Sequence, residues 1–299
     1  MMWESYIKNF EAYLKLEKSM SANSVEAYLN DLHKFIFYLE ETDPSISPGK
    51  ITADHLHRFF KGLYELGLGA SSQSRILSGL RTFFKYLLLE DVISKNPVQL
   101  IEAPRLTRKL PEVLSVEEIE KIISSVDLSK DLAHRNKAII EILYGCGLRV
   151  SELIDLRLSD LFFNDGFIRI IGKGDKQRLV PVGNNAIKAV HLYMDKERNH
   201  LTIHDEWRDI VFLNRRGKQL TRVMIFNIVK ELARQAGIQK KVSPHTFRHS
   251  FASHLVDGGA DLRAVQEMLG HQSILTTEIY THLDSGYLRS TVMEFHPRA

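Results

Sequence analysis

Residues 243–254 read Ser-Pro-His-Thr-Phe-Arg-His-Ser-Phe-Ala-Ser-His, followed by Leu-Gly-His-Gln-Ser at 269–273 and Ile-Tyr-Thr-His at 279–282. Ser243 is a good N-cap and Pro244 suits the first helical position. The stretch therefore opens a helix whose first turn carries His245 and Arg248 on one face. Unpaired N–H groups at such a turn favour an anion. The same two side chains also suit caps or surface ion pairs, and the fragment alone does not choose between these readings.

Working outward, Gly-Leu-Arg-Val-Ser-Glu at 147–152 sets Arg149 three residues before Glu152, where a helix lets the carboxylate orient the guanidinium. A second guanidinium matters because each donates as a planar fork, so two can hold both non-bridging oxygens of a phosphate. Taken alone, the pair is better read as an exposed ion pair worth about 0–1 kcal/mol. Gly-Lys-Gly-Asp-Lys at 172–176 puts Lys173 in a turn, placed either to hand a proton to a leaving oxygen or simply to face water. Tyr280 lies nine residues beyond His271 in a half-apolar segment. A lone Tyr there is ordinary packing, and only its company promotes it to a nucleophile.

The chain around these words is mainly α. From Trp3 to about Leu89 the periodicity is helical. Val25, Leu29, Leu32, Ile36 and Leu39 share one face after a capping box at Asn23 and Glu26. A second helix follows Thr52 and stops near Gly67, and a third follows Ser71 and carries Ile76, Leu80, Phe83, Phe84 and Leu87. Pro97, Pro104 and Pro111 then resist continuous helix, so 1–99 is read as one helical domain, 100–111 as a linker and 112–299 as a second domain. Ser115 with Glu118 restarts helix, with further helices over Leu132–Tyr144, Ala186–Lys196, Val223–Ala236 and His245–Val256. One small β element, Phe167–Ile171 with Arg178–Val182, forms a hairpin around Lys173.

Composition excludes more than it selects. At 299 residues and 44% hydrophobic content two buried cores are affordable, and the net charge of +3 does not by itself announce a nucleic-acid partner. The single cysteine, Cys146, cannot form an internal disulfide, and its apolar setting favours a small core residue. No run of 18 apolar residues and no secretory leader is present, so no membrane association and a cytoplasmic location are expected. His245, His249 and His254 are poorly spaced for zinc, the Walker spacing is missing around Lys173, and no paired carboxylates suit two-metal chemistry. Neither a metal nor any other cofactor is expected.

Together, Arg149, Lys173, His245-x-x-Arg248, His271 and Tyr280 resemble the six-residue active site of the tyrosine recombinases, relatives of the phage integrases. The flanking words match in the same order. Leu16–Ser24 and the terminal His-Pro-Arg-Ala at 296–299 resemble the Xer branch, on its XerD side. The resemblance implies a SAM-like helical core-binding domain and a catalytic domain that clamp double-stranded DNA. It further implies four protomers on two recombination sites, with a XerC-like paralogue and a septal DNA translocase as partners in resolving chromosome dimers. By the same resemblance Tyr280 attacks the scissile phosphate to give a 3′-phosphotyrosyl link, and Arg149 and Arg248 hold the non-bridging oxygens. Lys173 protonates the departing 5′ oxygen, His245 assists proton transfer, His271 bonds the phosphate, Glu152 supports the arginines, and the tail around 287–295 docks on a neighbouring protomer. The alternatives are a phage or mobile-element integrase with the same chemistry, a DNA-binding regulator that keeps the fold without cleavage, and a helical scaffold in which the clustering is accidental.

Overall fold

The computed structural model describes residues 3–104, 112–172, 177–270 and 285–299. It divides into two compact units, Met1–Lys109 and Leu110–Ala299.

The first unit is a bundle of α1 (Glu4–Leu16), α2 (Ala22–Thr42), α3 (Ala53–Glu65) and α4 (Ala70–Leu89). Helix α2 starts earlier than the Asn23–Glu26 capping box requires. Its N-cap is Ser21, whose hydroxyl lies 2.9 Å from that of Ser24, so Asn23 already sits inside the first turn. At α3 the box is built differently: the Thr52 N–H donates to Nδ1 of His55 at 3.1 Å, with His in the place usually held by Glu or Gln. The helical faces meet on an aromatic core in which Phe10 and Phe83 pack edge to face at 5.1 Å, as do Phe35 and Phe59. Val98 and Ile101 belong to this core, and the Arg81 guanidinium donates to the Ile101 carbonyl at 2.8 Å, so packing runs into the stretch expected as a linker. The rest of that stretch, 105–111, lies outside the described residues.

The second unit is built around α6 (Ala133–Gly145). From Ala138 to Tyr144 that helix is buried on every side, which is why its hydrophobic pattern is nearly continuous. Around it lie α5 (Val116–Ser124), α7 (Val150–Ile154), α8 (Asn184–Lys196), α9 (Arg222–Gln235), α10 (Pro244–Gly258), α11 (Leu262–Leu269) and α12 (Ser285–Phe295). A three-stranded antiparallel sheet runs in the order β1 (Leu161–Phe162), β2 (Phe167–Ile171), β3 (Gln177–Pro181), with Ile168 opposite Val180 and Ile170 opposite Arg178. The expected hairpin pairs in that register, and its Lys173 turn lies outside the described residues. Ser115 caps α5 as expected, its hydroxyl accepting the Glu118 N–H while the Glu118 carboxylate accepts the Ser115 N–H at 2.8 Å. Helix α12 buries Leu288 and Val292 within its own unit. Its last residue, Phe295, lies so close to Gly258 that a Cβ there would meet the Phe295 carbonyl at 2.8 Å.

Candidate active site

Arg149 is the N-cap of the short helix α7, and the Glu152 carboxylate, three residues on, accepts the Arg149 N–H at 2.8 Å. This local loop turns Glu152 inward. The same carboxylate accepts the Arg149 guanidinium at 2.8 Å, so the expected pair forms, but as a nearly buried anion and not as a surface bridge. Gly147 precedes it with φ +59 and no room for a side chain, since a Cβ would lie 2.4 Å from the Phe251 ring. That tight approach lets the Gly147 carbonyl accept Nη1 of Arg248 at 2.8 Å.

Arg248 comes from α10, whose start follows the reading of Ser243-Pro244: Ser243 caps, its hydroxyl accepting the Thr246 N–H, and Pro244 opens the helix. Its guanidinium is buried, donates to the Leu269 carbonyl, and lies 3.8 Å from Glu152. Burial, with the positive charge of Arg149 added, brings its pKa down to about 10, which still leaves it charged at neutral pH. His245, one turn earlier, is exposed, and its side chain forms no hydrogen bond to a described residue. The structure thus joins Arg149, Glu152 and Arg248 and leaves His245 apart from their contacts. Lys173, His271 and Tyr280 lie outside the described residues.

A residue not singled out in the sequence completes the cluster. Arg178 on β3 donates from Nη1 and Nη2 to the two oxygens of Glu152, both at 2.9 Å, and from Nε to the Met268 carbonyl at 2.8 Å. No local pattern marked it: Arg178 lies between exposed Gln177 and Leu179, and its charge is drawn in by partners remote in the chain. Burial alone would raise the Glu152 carboxyl. The hydrogen bonds and charge of Arg178, with the N–H and guanidinium of Arg149, outweigh it and hold the group ionised below the usual carboxylate range. Three guanidiniums around one carboxylate leave a net positive site, suited to a phosphate diester. Cys146, fully buried nearby in the chain, has its thiol pushed up by burial and packs as a small apolar residue.

Residues 112–286 match the phage integrase family, and residues 7–91 match its N-terminal SAM-like domain. The chain belongs to the phage integrase family. The tyrosine recombinase XerD of Chlorobaculum tepidum is 44% identical over 302 residues, covering 99% of this chain and 97% of that one. XerD of Listeria monocytogenes is 42% identical over 98% of this chain and 99% of its own length. Among solved structures, the XerH site-specific recombinase bound to its difH substrate aligns with a TM-score of 0.68 and 27% identity over 95% of this chain and 83% of that one. A lambda integrase dimer bound to a core site, at 0.71 and 19%, shares the fold. This family member is a XerD-like site-specific tyrosine recombinase, an enzyme that cleaves and rejoins DNA. Among the described residues no helix is long and apolar enough to cross a membrane.

Proposed function

We propose that Arg149, Lys173, His245, Arg248, His271 and Tyr280 form the strand-cleavage site, with Glu152 in support. Tyr280 Oη bonds to phosphorus as the bond to the 5′ oxygen breaks, leaving a 3′-phosphotyrosyl link and a free 5′-hydroxyl. His245 assists removal of the tyrosine proton, and Lys173 supplies the proton taken up by the 5′ oxygen. Arg149 and Arg248 hold the non-bridging oxygens as charge builds, and His271 bonds one of them. The phosphodiester energy is kept in the covalent link, so rejoining needs no nucleotide. The observation that supports this reading is the convergence of Arg149 and Arg248, from α7 and α10, on one buried carboxylate.

The wider reading rests on the resemblance and on the XerD relatives. We propose that residues 1–99 form the core-binding domain and 112–299 the catalytic domain, and that the enzyme works in the cytoplasm. Two copies with two of a XerC-like paralogue assemble on a pair of sites, and a septal DNA translocase acts with them in resolving chromosome dimers. The test is a nicked suicide duplex carrying the recombination site, incubated with the native protein and with Tyr280→Phe. The native protein is expected to accumulate a covalent adduct and the mutant none; an adduct of equal yield in the mutant overturns the assignment of the nucleophile.

A further inference from the structure

Three arginines from three different elements cap three consecutive carbonyls at the end of α11. Arg178 donates to Met268, Arg248 to Leu269, and Arg149 to Gly270 at 3.3 Å. The last four carbonyls of a helix have no partner within it and form the negative end of its dipole, so they are natural acceptors for guanidiniums. On their other side the same three guanidiniums surround Glu152. One carboxylate and one helix end together hold three like charges side by side.

The three are not equivalent. The side chain of Arg149 is 38% exposed and its contact with Gly270 is long, so it has donors to offer a ligand. Arg178 is 13% exposed, and all three of its nitrogens donate into the protein, two as a fork on Glu152. It fits under α11 because Gly270, at φ +63, carries no side chain: a Cβ there would lie 3.2 Å from the guanidinium carbon.

We infer that Arg178 is a positioning residue of the cleavage site: its fork fixes Glu152 and the end of α11 in one frame, and that frame sets the directions of Arg149 and Arg248. The inference rests on the reading of Arg149 and Arg248 as the phosphate-holding groups. Arg178 touches no reacting atom. It acts by holding Glu152 ionised and square to the other two guanidiniums, and by tying the β2–β3 hairpin to α7 and α11.

The test is single-turnover adduct formation by the full chain on a saturating nicked duplex carrying its recombination site, read against pH, beside affinity for the intact duplex and a thermal melt. Arg178→Gln is expected to slow cleavage about 10- to 100-fold, since misplacing a positioned group by about 1 Å costs on this scale. Affinity should stay within about twofold of the native value. The groups facing Glu152 are Arg149 at the start of α7, Arg178 on β3 and Arg248 on α10. Losing the fork leaves Glu152 buried with less positive charge, so its pKa rises and cleavage by Arg178→Gln falls off as pH drops through a range where the native rate is flat. Adding Glu152→Gln should remove that slope at no further cost in rate.

Arg178→Lys keeps the charge and loses the fork, so it should be slow without the acid slope. It also serves if the glutamine variant melts early. Native rate and profile in either folded variant, a loss of affinity with cleavage intact, or multiplying effects of the Arg178 and Glu152 changes would each overturn the inference. Arg149→Gln separates the two claims. If it cleaves at the native rate, the phosphate-holding reading itself falls; if it is inactive while Arg178→Gln is normal, only the role of Arg178 falls.

Discussion

The two units bury charge in very different measure. Among the described residues the first hides two polar side chains, Asp31 and Gln73, inside an aromatic and aliphatic core, whereas the second hides ten, including Arg135, Glu141, Glu152, Arg198 and Arg248. In the second unit these charges are answered locally. Arg198 donates to the carbonyls of Arg208, Ile210 and Val211, Arg298 pairs with Glu141 at 2.7 Å, and three guanidiniums meet Glu152. One unit is held chiefly by packing. The other is a core threaded with compensated charges, and the proposed cleavage site lies where the compensation is densest.

The comparison is sharpest if each unit is damaged in its own currency. Phe83→Ala removes a fully buried ring that packs on Phe10, and is expected to cost the first unit about 3–5 kcal/mol. Glu152→Ala leaves buried guanidiniums without their anion and is expected to cost the second unit about 3–5 kcal/mol as well. Sulfate should restore part of the second loss, by occupying the vacated charge, and none of the first. The chain has two tryptophans, Trp3 in the first unit and Trp207 in the second, so urea titrations of single-tryptophan variants follow each unit separately. Equal rescue of both variants by sulfate would break the distinction.

The same contrast explains how far the sequence could be read. Helices with one apolar face, such as α3 after Thr52 and α10 after Ser243, stand out because period and cap agree. The buried α6 also reads well, since a long apolar run has few other uses. Short elements do not announce themselves: β1 has two residues and α7 five, too few for a period, and α11 has eight between Asp261 and Gly270. At the site, Arg149, Glu152 and Arg248 were legible from helical spacing and from neighbouring words. Arg178 was not, because its partners Glu152 and Met268 are remote in the chain, and no local pattern encodes a contact that only tertiary packing creates.

A smaller effect tests the buried charges at the end of the chain. His296 packs against the rings of Tyr144 and Phe251, and its Nδ1 accepts the Arg298 N–H at 3.2 Å. Burial, with His254 and Arg298 adding positive charge nearby, lowers its pKa to about 4 from the 6.5 of a solvated imidazole. The unfolded chain therefore binds the proton first. Stability is complete above about pH 6.5, falls as pH drops toward 4 and then levels, a loss of ~3 kcal/mol. His296→Phe should flatten that part of the acid limb of a melting-temperature profile. An unchanged slope in the variant would place the acid sensitivity elsewhere.

The smallest effect is expected where the first unit does bury a charge. Asp31 is fully buried between α2 and α4 and pairs with Arg75, whose side chain is 45% exposed, while Oδ1 of Asp31 has no hydrogen-bond partner and only Lys34 at 3.6 Å. A desolvated carboxylate answered by half-solvated cations gains little over an apolar pair of similar volume. The double variant Asp31→Leu/Arg75→Met should accordingly stay within about 1 kcal/mol of the parent, or exceed it, in a urea titration followed by Trp3. The corresponding apolar swap at Glu152 and Arg178 should abolish adduct formation even if the unit stays folded, because the carboxylate there serves to aim guanidiniums. A loss above about 2 kcal/mol in the Asp31 variant would mean that the bundle leans on its buried charge much as the catalytic unit does, and the contrast between the two would reduce to number alone.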